Sequence, residues 1–188
     1  MATHEIIIAG FGGQGVMAIG KTLAEAGMQE NKFVSWLPSY GPEMRGGTAN
    51  CHVVVSDTPV VSPIIINPTE LIVMNKPSLI KFEPMVVSGG VVFINSSIVE
   101  VTCDRKDVIC HLVPCNDLAA ELGNAKVSNM VMLGAYIEET QLLKLETIHE
   151  MLRLMFTGKK ASLVDLNIKA LDCGAEIVRQ AHRKGCDI

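Results

Sequence analysis

A glycine-rich segment at residues 10–15, Gly10-Phe11-Gly12-Gly13-Gln14-Gly15, constrains the fold more than any other feature of this 188-residue sequence. The apolar run 5–10 leads into it and predicts a strand, and the apolar residues of 15–28 recur at helical spacing. A strand, a glycine loop and a helix predict a Rossmann-like beginning, in which loop amides and the helix N-terminus can face an anion. The alternative is a tight turn whose glycines serve packing only. On the first interpretation we expect a cofactor-binding loop of Gly10, Gly12, Gly13, Gln14 and Gly15.

Strands recur along the first two thirds of the chain. Apolar or alternating runs predict them at 32–37, 48–56, 60–66, 71–74, 91–95 and 108–113. Pro38 should stop the strand at 32–37, because proline lacks the amide that a strand needs. The runs 48–56 and 60–66 are expected to pair as a hairpin, since only a short turn separates them.

Helices alternate with these strands and dominate the last third. Asn75 is expected to cap one helix and Ser128 another at 129–139, and the last helix should begin at Ser162. A helix is also expected near Asn116. The alternation predicts an α/β fold: one three-layer Rossmann-like domain over residues 1–188, with a mostly parallel sheet and a helical C-terminal part.

Charge and apolar content argue against two classes of partner. The formal net charge of -4 gives no basic excess for nucleic acid. The longest apolar stretches are shorter than the ~18 residues that a membrane span needs, so we expect no membrane segment. No basic region precedes the apolar run at the N-terminus, as it would in a secretory signal, and a cytoplasmic protein is expected.

The chain is nevertheless more apolar than its size requires. Apolar residues make up 48% of it, and charged residues 19%, against about 25% in typical domains. Residues 1–100 hold fewer charges than the remainder. Monomers seldom expose large apolar patches, so we expect interfaces with partner chains around 40–47 and the helix after Gly15, and a dimer when the chain is isolated.

Two nucleotide-binding interpretations compete for the glycine segment. A stand-alone NAD(P)-dependent oxidoreductase would place an acidic residue, or an arginine for NADP, at the end of the second strand, where this chain has Lys32-Phe33-Val34-Ser35-Trp36. A P-loop-like nucleotide-binding module would use residues 15–22, which satisfy the GxxxxGK[ST] pattern. The apolar side chains of 16–19, however, continue the helical spacing and favour a buried helix face over a phosphate cradle.

The six cysteines show no metal-binding spacing. No CxxC pair occurs, and buried thiols are favoured over a metal site of Cys103, Cys110, Cys115 and His111. The neighbours Cys51 and His52 should point to opposite faces of a strand, and so should Cys110 and His111. We therefore expect neither pair to form a thiolate dyad.

Four motifs, in this order along the chain, resemble the gamma subunit of 2-oxoacid:ferredoxin oxidoreductases. They are GFGGQG at 10–15, SYGPEMRGG at 39–47, SPIIINP at 62–68 and VSNMVMLGA at 127–135. The resemblance implies an enzyme of the 2-oxoglutarate or 2-oxoisovalerate type, which converts a 2-oxoacid and coenzyme A to acyl-CoA and CO₂ and reduces ferredoxin. It also implies a subunit with no activity by itself.

The same resemblance implies where the cofactors bind. Thiamine diphosphate, Mg and the iron-sulfur clusters are expected on partner subunits, namely alpha, beta and a ferredoxin-like delta, because this chain has no GDG motif and no cluster-type set of cysteines. Coenzyme A is expected to contact this chain through the glycine loop and Arg45, whose guanidinium suits a phosphate or a carboxylate. The other interpretations of Arg45 are a solvated loop arginine and an ion pair between subunits. Glu43 is expected to pair with Arg45.

Overall fold

The computed structural model describes residues 3–39, 47–155 and 163–184. Its strands are β1 (Thr3–Phe11), β2 (Phe33–Ser39), β3 (Thr48–Ser56), β4 (Glu70–Val73), β5 (Val91–Asn95) and β6 (Ile109–Val113). Its α-helices are α1 (Val16–Gln29), α2 (Lys76–Phe82), α3 (Cys115–Glu121), α4 (Ser128–Thr140), α5 (Leu145–Met155) and α6 (Val164–Lys184). Short 3-10 helices cover Glu83–Met85 and Ala125–Val127.

The strands form one six-stranded sheet in the order β2-β3-β1-β4-β5-β6. From β1 to β6 each neighbouring pair is parallel. β3 runs antiparallel to both of its neighbours, β1 and β2. The sheet is therefore mostly parallel, and the predicted α/β class is confirmed.

Helices and loops cover both faces of the sheet. Along β1, Ile6 and Ile8 face a core formed with α1, α3, α4, α5 and α6, whereas Ile7 faces a second core formed with α2 and the loops around it. Side chains alternate between the faces of a strand, so a central strand buried on both sides is a continuous apolar run. The result is the expected three-layer arrangement.

Helix α4 is buried on nearly all sides, because it lies between the sheet and α6. Met130 and Met132 belong to this core, as interpreted from the sequence, and Leu171 meets them from the buried stripe of α6. A Cβ at Gly134 would lie 1.9 Å from the Leu171 carbonyl oxygen, and one at Gly174 would lie 1.9 Å from that of Val131. The two glycines thus permit the close approach of α4 and α6. No helix in the described ranges is long and apolar enough to cross a membrane.

Three of the predicted strand features are wrong. Residues 60–66 form no strand, and they form no hairpin with β3, which pairs with β1 and β2. The 60–66 segment meets β3 through a bond from the Ile65 amide to His52 Nδ1 (3.1 Å). β2 also continues through Pro38, opposite Cys51. β2 is an edge strand, so it has a neighbouring strand on one side only. A proline there can lack its amide hydrogen without losing a hydrogen bond between strands.

The predicted helix caps have mixed outcomes. Asn75 caps α2 as predicted, since its side chain accepts a hydrogen bond from the Ser78 amide. The predicted cap at Ser128 is wrong, because α4 continues directly from the short 3-10 helix before it, and Ser128 is its first helical residue. Ser162 lies outside the described residues.

Candidate functional site

The glycine loop lies at the carboxyl ends of the two central strands. β1 and β4 pair side by side, but α1 packs on one face of the sheet and α2 on the other. In α/β sheets this divergence opens a crevice at the carboxyl ends of the strands, where ligands bind. We call the region between residues 10–15 and 74–75, where the topology predicts this crevice, the switch crevice.

Gln14 holds the two walls of the switch crevice together. Its side-chain oxygen accepts a bond from the Phe11 amide (2.6 Å), and its side-chain nitrogen donates to the Met74 carbonyl (2.8 Å). Its own amide donates to the Phe11 carbonyl (3.1 Å). These bonds fix the shape of the loop, and the second N–H of the Gln14 side-chain amide has no partner among the described residues.

Three of the four glycines of the loop, Gly10, Gly13 and Gly15, have different roles. Gly10 is needed for packing, since a Cβ there would lie within 2.9 Å of Gln14, Val16 and Met74. Gly15 has a φ of +77° and packs against the side chain of Asn129, which would lie 2.5 Å from an added Cβ. Gly13 has a φ of +96°, but an added Cβ there would meet nothing within 4 Å. The space beside Gly13 is therefore open.

The N-terminus of α1 supplies donors toward this open space. Gly15 is its N-cap residue, no side chain caps it, and its first turn holds no acidic residue. The first amides of a helix lack partners within the helix and carry partial positive charge. The Gly12 amide is bonded to the Gly47 carbonyl (3.2 Å), whereas those of Gly13 and Gly15 have no hydrogen bond within the described part of the chain. The geometry suits a phosphate or a carboxylate.

Two buried asparagines follow the neighbouring strands at the same edge of the sheet. Asn75 comes after β4 and Asn95 ends β5, and both are at most 1% exposed. Asn75 Nδ2 and Asn95 Oδ1 have no hydrogen-bond partner among the described residues. Buried polar atoms of this kind usually form hydrogen bonds with water or a ligand. Both atoms lie at the edge of the sheet where ligands bind in such folds.

Arg45 and Glu43 lie outside the described residues, as does most of their motif. Gly47, the last residue of the motif, bonds to Gly12 and then leads into β3. One end of the SYGPEMRGG motif therefore lies directly beside the glycine loop. The expected role of Arg45 stays a prediction.

Asn129 is a residue of this region that the sequence interpretation missed. It lies in the first turn of α4, and its side chain fills the space over Gly15. The N-termini of α1 and α4 are thus neighbours. The position of Asn129 in the VSNMVMLGA motif was the available signal, but its contact with Gly15 depends on how α4 packs on the sheet.

The cysteines are separated by the sheet. Cys51 and Cys115 lie in the core with α4, whereas Cys103 and Cys110 pack on the opposite face. Burial raises the pKa of the Cys51 thiol to about 12, and it also raises the pKa of Cys115. Within the described ranges no group of three or more His, Cys, Asp or Glu side chains could hold a metal ion. The set Cys103, Cys110, Cys115 and His111 is therefore not brought together.

The start of α1 and the sequence of β2 argue against the P-loop and NAD(P) interpretations of the glycine segment. α1 begins at Val16, so the residues of the GxxxxGK[ST] pattern that should form a phosphate cradle are already helical. Val16 and Ile19 are buried in the core. β2, which would carry the acidic residue of a dinucleotide site, consists of FVSWLPS.

Comparison with known proteins decides the family. The sequence model of the pyruvate ferredoxin/flavodoxin oxidoreductase (POR) family matches residues 5–177. The chain belongs to this family. Ketoisovalerate oxidoreductase subunit VorA of Methanothermobacter thermautotrophicus is 39% identical over 174 residues, which cover 92% of this chain and 36% of VorA. The 2-oxoglutarate synthase subunit KorC of Methanocaldococcus jannaschii is 31% identical, over 94% of this chain and 94% of KorC.

Solved structures share the POR-family fold of this chain. The gamma subunit of keto/oxoacid ferredoxin oxidoreductase from Geobacter sulfurreducens has a TM-score of 0.83 at 27% identity, over 96% of this chain and 99% of that chain. The 2-oxoglutarate:ferredoxin oxidoreductase of Magnetococcus marinus, with 2-oxoglutarate, coenzyme A and succinyl-CoA bound, has a TM-score of 0.88 at 21% identity, over 96% of this chain and 32% of that chain. This chain thus spans about a third of VorA but nearly all of KorC and of the Geobacter subunit. The resemblance to gamma subunits is confirmed.

Proposed function

We propose that this POR-family chain is the gamma subunit of a 2-oxoacid:ferredoxin oxidoreductase. The complex would convert a 2-oxoacid and coenzyme A to acyl-CoA and CO₂ and pass the electrons to ferredoxin, in the cytoplasm. The end-to-end match with the Geobacter gamma subunit carries this proposal. VorA and KorC are named for two different 2-oxoacids, which supports the substrate class.

The proposed partners are the alpha, beta and delta subunits. VorA is nearly three times as long as the part that matches this chain, so in that relative the same fold shares a polypeptide with other segments. We expect this chain to bind, without a covalent link, a subunit that corresponds to the rest of VorA. In the absence of such partners it is expected to form a dimer.

The proposed ligand of the switch crevice is coenzyme A. Its pyrophosphate would face the Gly13 and Gly15 amides and the first turn of α1, and Arg45 would bind a phosphate from the adjacent loop. The uncapped helix, the open space beside Gly13 and the unpartnered atoms Asn75 Nδ2 and Asn95 Oδ1 fit a polar, anionic group. The bound coenzyme A of the Magnetococcus enzyme agrees with this ligand class.

Thiamine diphosphate, Mg and the iron-sulfur clusters are proposed to bind to the partner subunits. Their chemistry is decarboxylation and electron transfer, and it needs a metal-diphosphate site and thiolate ligands. In this chain Cys51 and Cys115 lie on one face of the sheet, and Cys103 and Cys110 lie on the other. Because the described residues bring no three potential ligands together, they do not fit a cluster site.

Purification of the tagged chain from its host tests the proposal. We expect larger subunits to copurify with it, and the complex to reduce a viologen dye with a 2-oxoacid, coenzyme A and thiamine diphosphate. The chain purified alone should show no turnover. Recovery without any partner under gentle conditions, or turnover by the isolated chain, would contradict the assignment.

A further inference from the structure

A cavity lies beside α1, outside the switch crevice. It has a volume of about 210 Å³, opens to solvent, and lies between α1, the segment that leads into α4, α5 and the start of α6. Its apolar walls include Ala18, Met130, Leu152 and Leu163. A cavity of about 150 Å³ holds a benzene molecule, so this one has room for about eight non-hydrogen atoms.

Two polar side chains in the wall of this cavity have no partner. Thr22 is 2% exposed and Asn129 is 8% exposed. Within the described residues neither the Thr22 hydroxyl nor the Asn129 side-chain amide forms a hydrogen bond. Neither is among the fully buried polar atoms, so both groups reach the space of the cavity, where a water or a ligand can bond to them.

The described residues around the cavity contribute charge of one sign. Among them Lys126 is the only charged residue, and it lies two positions before α4. The 3-10 turn that leads into α4 adds partial positive charge at the same end, where its cap Asn124 accepts a hydrogen bond from the Lys126 amide. Asn129, in the first turn of α4, can donate a hydrogen bond there.

From these observations we propose that the cavity binds a small carboxylate with a short apolar body. Its carboxylate would lie at Lys126, Asn129 and the start of α4, and its apolar body would contact Ala18, Met130 and Leu152. Thr22 would bond an oxygen of the ligand or a water that accompanies it. Inorganic phosphate does not suit walls of this kind, because it would leave the apolar surface uncovered. The proposal does not depend on the assignment of the switch crevice.

The probe for this site is 4-methylpentanoate, which has an apolar body of the right size and one carboxylate. We expect NMR titration of the full chain to move the backbone amides of Thr22 and Asn129 saturably. The neutral isostere 4-methylpentan-1-ol should bind at least about threefold more weakly, since it lacks the charge that Lys126 and the helix attract. Saturable shifts confined to other parts of the chain, or none, would overturn the proposal, and equal binding of the alcohol would overturn the anionic assignment.

Three variants locate the site within the protein. Ala18→Leu fills the cavity from an exposed position and should abolish binding, whereas Gln29→Leu, an exposed change on the same helix outside the lining, should leave it intact. Thr22→Val should leave the melting temperature of the free chain unchanged or higher, because it removes an unpartnered hydroxyl, and should weaken the probe about three- to tenfold. Undiminished binding by folded Ala18→Leu would overturn the location.

Discussion

At the scale of single residues, a substitution at Gly13 can distinguish a role in ligand binding from a role in the geometry of the loop. Gly13 and Gly89 both have positive φ, +96° and +79°, and an added Cβ at either meets nothing within 4 Å. Alanine at each should therefore cost about 1–2 kcal/mol of backbone strain. If the loop binds coenzyme A, Gly13→Ala should also raise the KM for coenzyme A in the assembled complex by about tenfold, because the methyl group stands between the ligand and the loop amides.

Gly89→Ala is the matched control, since it carries the same strain at the turn before β5. It should leave the KM for coenzyme A unchanged. An unchanged KM in an assembled Gly13→Ala complex would leave the turn itself as the only role of that glycine.

The residues of the glycine loop followed from the sequence, but their roles did not. The spacing of apolar residues alone placed Gly10 to Gly15 between a strand and a helix, because apolar residues recur with different periods in the two. That Gln14 bonds to Met74, 60 positions away, depends on the pairing of β1 with β4. Asn129 likewise reaches Gly15 only through the packing of α4. Contacts between distant segments are not encoded in local patterns.

At the scale of elements, the contact of α4 with α6 depends on two glycines. Replacement of glycine by alanine inside a helix usually stabilises it, by about 1 kcal/mol. At Gly134 or Gly174 the new methyl group would lie 1.9 Å from a carbonyl oxygen of the facing helix, so the helices must separate. We expect Gly134→Ala and Gly174→Ala each to lower the free energy of unfolding by about 1–3 kcal/mol.

Thermal and denaturant unfolding measure this effect. Gln180→Ala, at an exposed position of α6, is the control and should change the stability by less than about 0.5 kcal/mol. A Gly174→Ala variant as stable as the unmodified chain would show that the helices adjust without loss, contrary to this account.

The bounds of a strand or helix could be predicted where one local sequence pattern determined them. β5 has the predicted bounds, because its apolar run is flanked by Gly90 and by a polar turn. The run at 60–66 carries the same apolar signal, but β1 and β2 already occupy both edges of β3. Ile65 instead turns into the second core, while Ile64 and Ile66 stay exposed. Competition between segments for one strand edge cannot be read from either segment alone.

At the scale of the whole molecule, the excess of apolar residues leads to a prediction about association. Interfaces were expected around 40–47, which lies outside the described residues except for Gly47, and on the helix after Gly15. The apolar face of that helix, α1, is buried inside the chain and includes Val16, Ile19 and Leu23. Large exposed apolar side chains occur instead in the uncharged segment 58–68, at Val61, Ile64 and Ile66, which are 61–100% exposed. Apolar side chains grouped in this way usually mark an interface.

The isolated chain should therefore self-associate through segment 58–68, and sedimentation velocity measures this directly. Ile64→Lys combined with Ile66→Lys should shift the chain toward monomer, because association would then bury two charges without partners. Ile80→Lys, an equally exposed isoleucine on α2, should leave the sedimentation coefficient unchanged. Since the same surface would bind the larger subunit in the complex, the double variant should also copurify less of that subunit. A monomeric unmodified chain would contradict self-association, and normal assembly of the double variant would place the interface elsewhere.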